Sequence, residues 1–424
     1  MTARVFRITS TSLRYGIIYS VIFLLLTGCA NLAPFLASRQ PTPASVSQAT
    51  STPQPVPLST QTALPVTDVR ILRVWLPPRF DPNADTESAS LLKRRLADFE
   101  SAHPGLEIEV RIKAEAGETS LLNSLSITSS AAPIALPDLI ALSRPDLEAA
   151  ALKGLLHPVD GLSTVLDDSN WYPYARELGH IQNIGYGLPF AADALVMVHR
   201  PGLEINTWDD IFSSDESLVF SAGDPQALVA LSLYISAGGR LVDEQGLPIL
   251  DEEPLTQTLT LIQNGLEEQA FLPTMINYET DTQSLQAYRD GRANMAIAWA
   301  LNYHRVDDGI IEPIPSLNGT PHTFAPGWIW ALAGSDPENQ QVATELAEYL
   351  IADEFIGNWL ENTGYLPTRL SQDVEVNAIL ESAQLMPAND VLLVLGPIMN
   401  QALIRVLNGD QVESVVRSVM EQVQ

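Results

Sequence analysis

The sequence predicts an α/β protein whose folded body divides into two lobes. The body runs from about Asp68 to Gln424, about 357 residues, which is long for one hydrophobic core and typical of two. Its first part alternates short apolar runs with helical patterns, an order that favours a mostly parallel sheet flanked by helices. Its second half repeats that alternation. The hydrophobic content of 46% and seven tryptophans exclude a disordered chain.

The first lobe is predicted from changes in hydrophobic period. Pro77-Pro78 ends the first apolar run, and Pro104-Gly105 ends the first helical pattern. Ligands of such sheets sit at the carboxyl ends of strands, which places Trp75 and Ser143-Arg144 near any cleft. The predicted elements are a strand over Ile71–Leu76, a helix through Leu92–His103, a strand over Leu106–Ile112, a strand over Asp138–Leu142 and a helix through Leu147–Leu155.

The second half is predicted from the same two periods. Its helical patterns are amphipathic, and its strands are short apolar runs. The predicted elements are strands at Val196–Val198 and Leu218–Phe220, and helices at Ala227–Ala237, Pro254–Gln269, Val342–Leu360, Ile398–Leu407 and Val412–Val423.

The first 28 residues have the pattern of an export signal. Three arginines precede the apolar run Tyr15–Leu26, whose 12 residues are too few to cross a bilayer that needs roughly 20. The run closes with Leu26-Thr27-Gly28-Cys29, which resembles the lipobox of bacterial lipoproteins, where the cysteine thiol is acylated. We therefore expect a lipid anchor on Cys29. The alternative is an ordinary signal peptide with an incidental cysteine.

Residues 29–68 are expected to be a lipid-anchored linker. From Ser38 to Thr67, 21 of 30 residues are Pro, Ser, Thr or Gln, a composition that cannot bury enough apolar surface to fold. Removal of the signal leaves 20 basic against 51 acidic residues, because three of the 23 basic residues precede Cys29. Such a net negative charge repels nucleic acid and anionic lipid, so neither is an expected partner.

Seven segments, in order, resemble the family 1 solute-binding proteins of ABC importers, the group that includes maltose-binding protein. Each motif alone is weak, and their order carries the resemblance, which covers about 70–424. The segments are Leu91–Ile112, with its helix and Pro-Gly turn; Leu136–Leu162, which ends GLLHPVDGL; Tyr186–Phe212, which opens YGLP and contains TWDD; Gly238–Val242; Gly291–Trp299, GRANMAIAW; Gly327-Trp328; and Gly364–Arg369, GYLPTR.

The resemblance implies a two-lobed periplasmic-binding-protein fold (type II) that closes around its ligand by a hinge motion. It implies residues 69–191 plus about 319–355 for lobe 1, and about 192–314 plus about 362–424 for lobe 2. The three hinge crossovers map near Pro189–Asp193, Ile311–Gly319 and Glu354–Thr363. The implied partners are a small-molecule solute and the transmembrane subunits of an ABC permease, and we expect a monomer without a cofactor.

A sugar offers apolar C–H faces and hydroxyls, so its site needs aromatic planes together with carboxylates and amides. Asp193 follows the Gly187–Phe190 crossover, where the family commonly places a sugar-binding carboxylate; the alternative is a cap that stabilises the hinge. Trp299 resembles the family's stacking tryptophan, with a core tryptophan as the alternative. Trp328 follows the glycine of a signature that commonly faces the cleft, and Trp330 shares its strand face.

Weaker candidates complete the predicted site. Trp75 is either a cleft wall or a core residue, and Ser143 and Arg144 could reach hydroxyls or a phosphate. Arg144 could equally be a surface cation beside an acidic neighbour. Tyr186 and Tyr365 are expected as aromatic walls. The segment Ala388–Met399 lacks the aromatic residue that maltose-binding protein carries there, which argues against a long maltodextrin as the ligand.

The sequence gives little support to other functional classes. No spacing singles out a pair of acids for glycoside hydrolysis, so we expect no enzyme activity. The six histidines form no zinc-binding motif, and no phosphate-binding glycine loop occurs. The leading hypothesis is a carbohydrate-binding lipoprotein of an ABC importer on the outer face of the cell membrane. The alternatives are a non-transporting sensor or interaction lipoprotein, and a binding protein for a polyol or glycerol phosphate.

Overall fold

The computed structural model describes residues 69–303 and 309–423, which belong to one compact unit. The predicted signal peptide, the linker and Cys29 lie outside the described residues. The strands are β1 (Arg70–Leu76), β2 (Leu106–Ile112), β3 (Leu139–Ser143), β4 (His180–Ile181), β5 (Ile184–Gly185), β6 (Gly187–Ala192), β7 (Leu195–His199), β8 (Leu218–Val219), β9 (Met295–Trp299), β10 (Ile310–Glu312), β11 (Thr323–Phe324), β12 (Gly327–Leu332) and β13 (Ala383–Gln384).

Helices cover both larger sheets. They are α1 (Glu87–Ala102), α2 (Leu121–Ala131), α3 (Arg144–Leu152), α4 (Pro173–Leu178), α5 (Trp208–Ser213), α6 (Leu228–Ser236), α7 (Glu252–Glu267), α8 (Asp281–Arg289), α9 (Ala300–Tyr303), α10 (Pro337–Leu350), α11 (Asp353–Thr363), α12 (Val374–Glu381), α13 (Asn389–Leu407) and α14 (Val412–Val423).

The first lobe is built on a five-stranded sheet in the order β2-β1-β3-β12-β6. Its central strand β3 is apolar and fully buried from Leu139 to Leu142, as expected of a strand covered on both faces. Strands β1, β2 and β3 are parallel, whereas β12 is antiparallel to both of its neighbours. Four of the five strands therefore run in one direction and end at the same edge.

The second lobe is built on a four-stranded sheet in the order β10-β7-β9-β8. Only the β8–β9 pair is parallel. Three of its four strands nevertheless share a direction, because β7 alone is antiparallel to both of its neighbours, as β12 is in the first sheet. The physical reason lies in the connections: a strand that returns from the other lobe enters at the edge where the earlier strands ended, so it must run in the opposite direction.

Three passages of the chain join the two sheets, and they lie side by side. The first continues from β6 through Asp193 into β7, and the third follows α11. The second leads from β11 into β12, later in the chain than the expected range Ile311–Gly319, because β10 and β11 still pair within the second lobe. Ala192 and Leu366 exchange backbone hydrogen bonds of 2.8 and 2.9 Å. The Asp193 amide donates to Pro326 O at 3.0 Å, and the Thr323 hydroxyl donates to Leu195 O at 2.6 Å. We call these three hydrogen-bonded passages the hinge.

Two expectations about the region after residue 341 need correction. The predicted helix Val342–Leu360 is two helices, α10 and α11, separated at Ile351 and Ala352. Asp353 and Glu354 open the second helix, where carboxylates favour a new N-terminus through the helix dipole. The range 354–363 was expected to hold the third crossover, but it is helical, and the chain leaves this helix at Gly364.

Helix α13 is 19 residues long, and its mean hydropathy of 1.5 would also suit a membrane span. One of its faces is buried, and it packs against α6, α7 and α14. It also contains Pro397. These contacts identify it as a core helix of the second lobe, one that the sequence predicted only from Ile398 onward.

Candidate ligand-binding site

The two sheets face each other at the ends of their strands. In the first sheet, β12 pairs with β3 through Trp328 and Ser143, and with β6 through Gly327 and Ala192. These four residues therefore lie together where the strands end, along one edge of the sheet. Leu76 and Ile112 end the neighbouring strands at the same edge. Binding sites in such sheets form at this edge, which we call the cleft edge.

Arg79 is the most connected side chain at the cleft edge. It lies in the 3-10 turn Pro78–Phe80 after β1, and Glu115 lies in the turn after β2. The Arg79 guanidinium donates two hydrogen bonds to the Glu115 carboxylate, at 2.7 and 2.5 Å, and a third to the Tyr365 hydroxyl at 2.5 Å. Burial alone would lower the pKa of Arg79, but the bonds to Glu115 and Tyr365 raise it above its ordinary value.

Aromatic side chains surround this cation. The Arg79 guanidinium carbon lies 5.3 Å from the centre of the Trp328 ring, within the range of a cation–π interaction. Phe80 packs edge-on against Trp328 at 5.3 Å and contacts the Tyr365 ring at 5.8 Å. Trp328 and Tyr365 are 9% and 8% exposed, so both rings reach the surface at their edges only. A Cβ at Gly327 would lie 2.5 Å from a Leu178 methyl group and 3.0 Å from Ala191 O, so a side chain there would require these neighbours to move.

Asp193 lies in the first passage of the hinge and is 8% exposed. Its Oδ1 accepts the backbone N–H groups of Ala194 and Leu301, at 2.9 and 3.0 Å. Burial raises the pKa of Asp193 to about 7; the two N–H groups and Arg79 oppose this shift, and Asp281 adds to it. The carboxyl group therefore caps the turn, as the structural alternative requires, while it also lies beside Arg79 and Asp281 at the junction of the lobes.

Trp299 lies in the second lobe, next to its junction with the first lobe. It ends β9 directly opposite Leu195, the first residue after the hinge passage, and it is half-buried. Its backbone N–H donates to Asp281 Oδ2 at 3.1 Å, and Asn302 donates to the same oxygen at 2.8 Å. Asp281 therefore fixes the turn that carries Trp299.

A cavity of about 340 Å³ opens between the lobes beside Tyr365. Its lining combines an apolar floor with hydroxyl and carboxylate groups, and no lysine or arginine is among the described residues that line it. The lining residues are Ala300, Tyr303 and Ile311 from the second lobe, and Gly357, Leu360, Glu361, Gly364, Tyr365, Leu366, Pro367, Ser371, Asp373 and Val376 from the segments around α11 and α12.

A larger cavity, of about 750 Å³, lies beside the segments 318–324 and 384–391. It shares no lining residue with the smaller cavity, and none of the predicted site residues reaches it. Its size alone does not make it the site, because its lining lacks the tryptophans and the aspartates that meet at the lobe junction.

Three predicted site residues are placed differently from our expectation. Tyr186 precedes β6, whose first residue pairs with Ala331, so Tyr186 lies at the opposite edge of the sheet, about 20 Å from the cleft edge at 3.3 Å per residue. Trp75 is 1% exposed and packs in the core beneath Lys113, which is the second of the two alternatives for it. The Arg144 guanidinium donates to the carbonyls of Leu178 and His180, at 3.5 and 2.8 Å, which favours a structural role.

The remaining candidates lie at the junction of the lobes. Ser143 ends β3 opposite Trp328 and precedes α3, so it borders the cleft edge. Asp193, Trp299, Trp328 and Tyr365 also meet there, and their roles toward a ligand stay predictions.

Arg79, Glu115 and Asp281 belong to the same site and were missed by the sequence analysis. A usable signal existed for the first two, because both follow strands that the sequence predicts, at the edge where Trp75 and Ser143 were sought. Asp281 gives no such signal, since it acts through a turn 18 residues further along the chain.

Comparisons with known proteins agree with this architecture. The chain matches the family model described as bacterial extracellular solute-binding protein over residues 83–355. No curated protein sequence matches it. The cyclic α-maltosyl-1,6-maltose binding protein from Arthrobacter globiformis is similar in structure, with 13% identity and a TM-score of 0.66; the match covers 83% of this chain and 97% of that chain.

Two further solved structures share the fold. One is the maltose-bound MalE3 of T. maritima, at 17% identity and a TM-score of 0.60, covering 83% of this chain and 98% of that chain. The other is a ribitol-bound ABC transporter solute binding protein from Agrobacterium radiobacter, at 17% identity and a TM-score of 0.56, covering 84% and 98%. The two-lobed fold of these proteins and the family match over more than half of the 424 residues lead to one conclusion. The chain belongs to the bacterial extracellular solute-binding protein family.

Proposed function

We propose that the protein captures a carbohydrate or polyol between its lobes and delivers it to the transmembrane subunits of an ABC importer. The observation that carries this proposal is that Trp328, Tyr365 and Asp193 lie at the strand ends of the first sheet, while Trp299 ends the strand of the second sheet that pairs with Leu195, two residues after Asp193. Aromatic rings pack against the C–H faces of a sugar, and carboxylates accept its hydroxyl protons. A ligand held by groups from both lobes would favour the closed arrangement, because only that arrangement completes its contacts.

The comparisons support the class of solute. The T. maritima relative holds maltose and the Agrobacterium relative holds ribitol, so this fold accommodates both cyclic sugars and open-chain polyols. Both ligands are uncharged and rich in hydroxyl groups, as the lining of the cavity beside Tyr365 would require.

The proposal includes an anchor at the outer face of the cell membrane. Residues 1–28 would be removed as a signal peptide, Cys29 would carry the lipid, and residues 29–68 would connect it to a monomeric two-lobed body. Lobe 1 would comprise 69–191 plus a segment from about 325, after β11, to about 355, and lobe 2 about 192–324 plus about 362–424. Two acyl chains hold a protein at a membrane where one chain does so only marginally, which suits the diacylglyceryl group expected at a lipobox cysteine.

The binding proposal is tested with the body of the protein, residues 69–424, against a panel of sugars, polyols and glycerol phosphates. Isothermal calorimetry should find at least one carbohydrate or polyol that binds, and that ligand should raise the melting temperature. Small-angle scattering should then show a smaller radius of gyration, because ligand closes the lobes. If no member of the panel binds, the carbohydrate assignment fails, and a sensor or interaction lipoprotein becomes the better reading.

Anchoring and transport need separate experiments. Expressed in bacteria, the full chain should fractionate with membranes, and its Cys29→Ser variant should not. Uptake of the identified ligand should depend on this protein and on a permease encoded beside it. Binding without such uptake would contradict the transport role while leaving the binding role in place.

A further inference from the structure

The ion pair between Arg79 and Glu115 follows from the register of the first sheet. Strands β1 and β2 are parallel with Leu76 opposite Ile112, so the turns that follow them leave the sheet side by side. Arg79 lies three residues beyond one strand and Glu115 three residues beyond the other. Their side chains meet in a bidentate pair, the geometry in which a guanidinium and a carboxylate bind most strongly.

This pair leaves hydrogen-bond donors at the site but little net positive charge. A guanidinium has five N–H groups, of which Glu115 takes two and Tyr365 one. The two side chains are 38% and 34% exposed, so both remain partly accessible from solvent. A neutral hydroxyl needs only a donor. A phosphate or carboxylate would also need a positive charge that Glu115 does not already balance.

Four carboxylates lie around the same junction, and Lys113, one residue beyond β2, is a second cation there whose ammonium group lies 4.8 Å from the centre of the Trp75 ring. Asp193 and Asp281 lie close enough for each to influence the other, and Glu361 and Asp373 line the cavity beside Tyr365. Tyr365 belongs to that cavity and also accepts the hydrogen bond from Arg79, so the cavity leads to the ion pair. Among the described residues, an anionic solute would meet these carboxylates with Arg79 as the cation that contacts the cavity wall.

We propose that Glu115 is a specificity-determining residue, which neutralises Arg79 and so makes the cleft select uncharged polyhydroxylated solutes over phosphorylated or carboxylated ones. This inference rests on the proposed function, since it concerns the ligand of the same site. It separates sugars and polyols from glycerol phosphate and sugar acids, which the fold alone does not separate. Complementary charge acts mainly through such discrimination between partners.

The test uses matched pairs of neutral and anionic probes, measured by calorimetry at pH 7.5 and low salt. The pairs are maltose with maltobionate, glucose with glucose 6-phosphate, and ribitol with ribitol 5-phosphate. Wild-type protein should bind the neutral member of at least one pair, and should bind its anionic partner at least tenfold more weakly. Glu115→Gln keeps the size and the acceptor oxygen of the side chain but removes its charge. It should therefore reduce the ratio of the anionic probe's Kd to the neutral probe's Kd at least tenfold.

Glu109→Gln is the matched control. Glu109 lies six residues earlier, on β2 itself, and its ion pair with Arg111 is 2.7 Å long with side chains 38% and 42% exposed. The Glu109→Gln variant loses the same charge in a similar environment away from the cleft edge. Its ratio of anionic to neutral Kd should therefore equal that of the wild type. Thermal unfolding of both variants checks that the fold is intact.

The outcomes distinguish failure of the charge selectivity from failure of solute binding. A wild-type protein that binds the anionic probes as tightly as the neutral ones overturns the inference and leaves solute binding in place. A ratio unchanged by Glu115→Gln, or changed equally by Glu109→Gln, also overturns it. Failure of every probe, neutral and anionic, overturns both the inference and the carbohydrate function on which it rests.

Discussion

Replacement of Asp193 by asparagine should make the protein more stable and its ligand binding weaker. The carboxyl group is buried at the hinge, and its Oδ1 accepts two backbone N–H groups. Asparagine has nearly the same shape, and its carbonyl oxygen can accept the same two bonds. The substitution therefore removes the charge and leaves the packing of the turn unchanged.

The magnitude follows from the pKa of Asp193, which burial raises from an ordinary 3.8 to about 7. Because the folded chain holds this proton more tightly than the unfolded chain, its stabilising contribution is complete below about pH 4 and is lost as the pH rises through about 7. The interval between the two pKa values corresponds to about 4 kcal/mol of unfolding free energy. For a body of this size that corresponds to about 6 °C in melting temperature.

Urea unfolding at pH 4, 5, 6, 7 and 8 measures this effect directly. Asp193→Asn should match the wild type near pH 4 and exceed it by several kcal/mol at pH 8. Asp98→Asn, which removes an exposed carboxylate from α1, is the matched control and should give no such divergence. Calorimetry at pH 8, where Asp193 is ionised, should show weaker binding for Asp193→Asn, because a carboxylate accepts sugar hydroxyls more strongly than an amide does.

Two results would refute this reasoning. A constant difference between wild type and variant from pH 4 to pH 8 would mean that the carboxyl group does not change its pKa on folding. Unchanged affinity together with the expected gain in stability would assign Asp193 to the hinge alone and remove it from the ligand site.

Three further predictions concern other parts of the body. Trp299→Ala should weaken ligand binding by about 1 kcal/mol or more through loss of ring stacking, and unchanged affinity in calorimetry with an intact fold would remove Trp299 from the site. Gly187→Ala should destabilise the first sheet by at least 1–3 kcal/mol, because the new Cβ would lie 2.2 Å from Trp330 O; equal urea midpoints for variant and wild type would contradict that contact. Burial lowers the pKa of His322 to about 4 from 6.5, so its contribution to stability should be lost as the pH falls through that range, by about 3 kcal/mol in total. His322→Gln should remove this acid-side loss in urea titrations, and a variant as acid-sensitive as the wild type would argue against it.

Elements set by local patterns were the most predictable from the sequence. Helix α14 begins and ends where its apolar period does, from Val412 to Val423, and Leu92, Leu96 and Phe99 form the buried face of α1 as their spacing indicates. These features need only neighbouring residues along the chain. The break between α10 and α11 was missed because the apolar period continues across it, while the acidic residues that open α11 act only at short range.

The candidate site was predictable in part for a different reason. Asp193, Trp299, Trp328 and Tyr365 were predicted because each stands in a segment that resembles the family, whereas Arg79 stands in no such segment. Its importance comes from Glu115, 36 residues away, through the register of two strands. Tyr186 was misplaced because strand direction was not considered, although the six residues of β6 separate it from the cleft edge.

The three passages of the hinge have a mechanical consequence. Hydrogen bonds hold them side by side and join Ala192 to Leu366, Asp193 to Pro326, and Thr323 to Leu195. A short ribbon of this kind is expected to resist twisting more than bending. We therefore expect the lobes to move along essentially one coordinate, an opening angle. A single pair of fluorescent labels, one on each lobe, would then report the whole motion, and the distance between them would serve as a direct measure of occupancy.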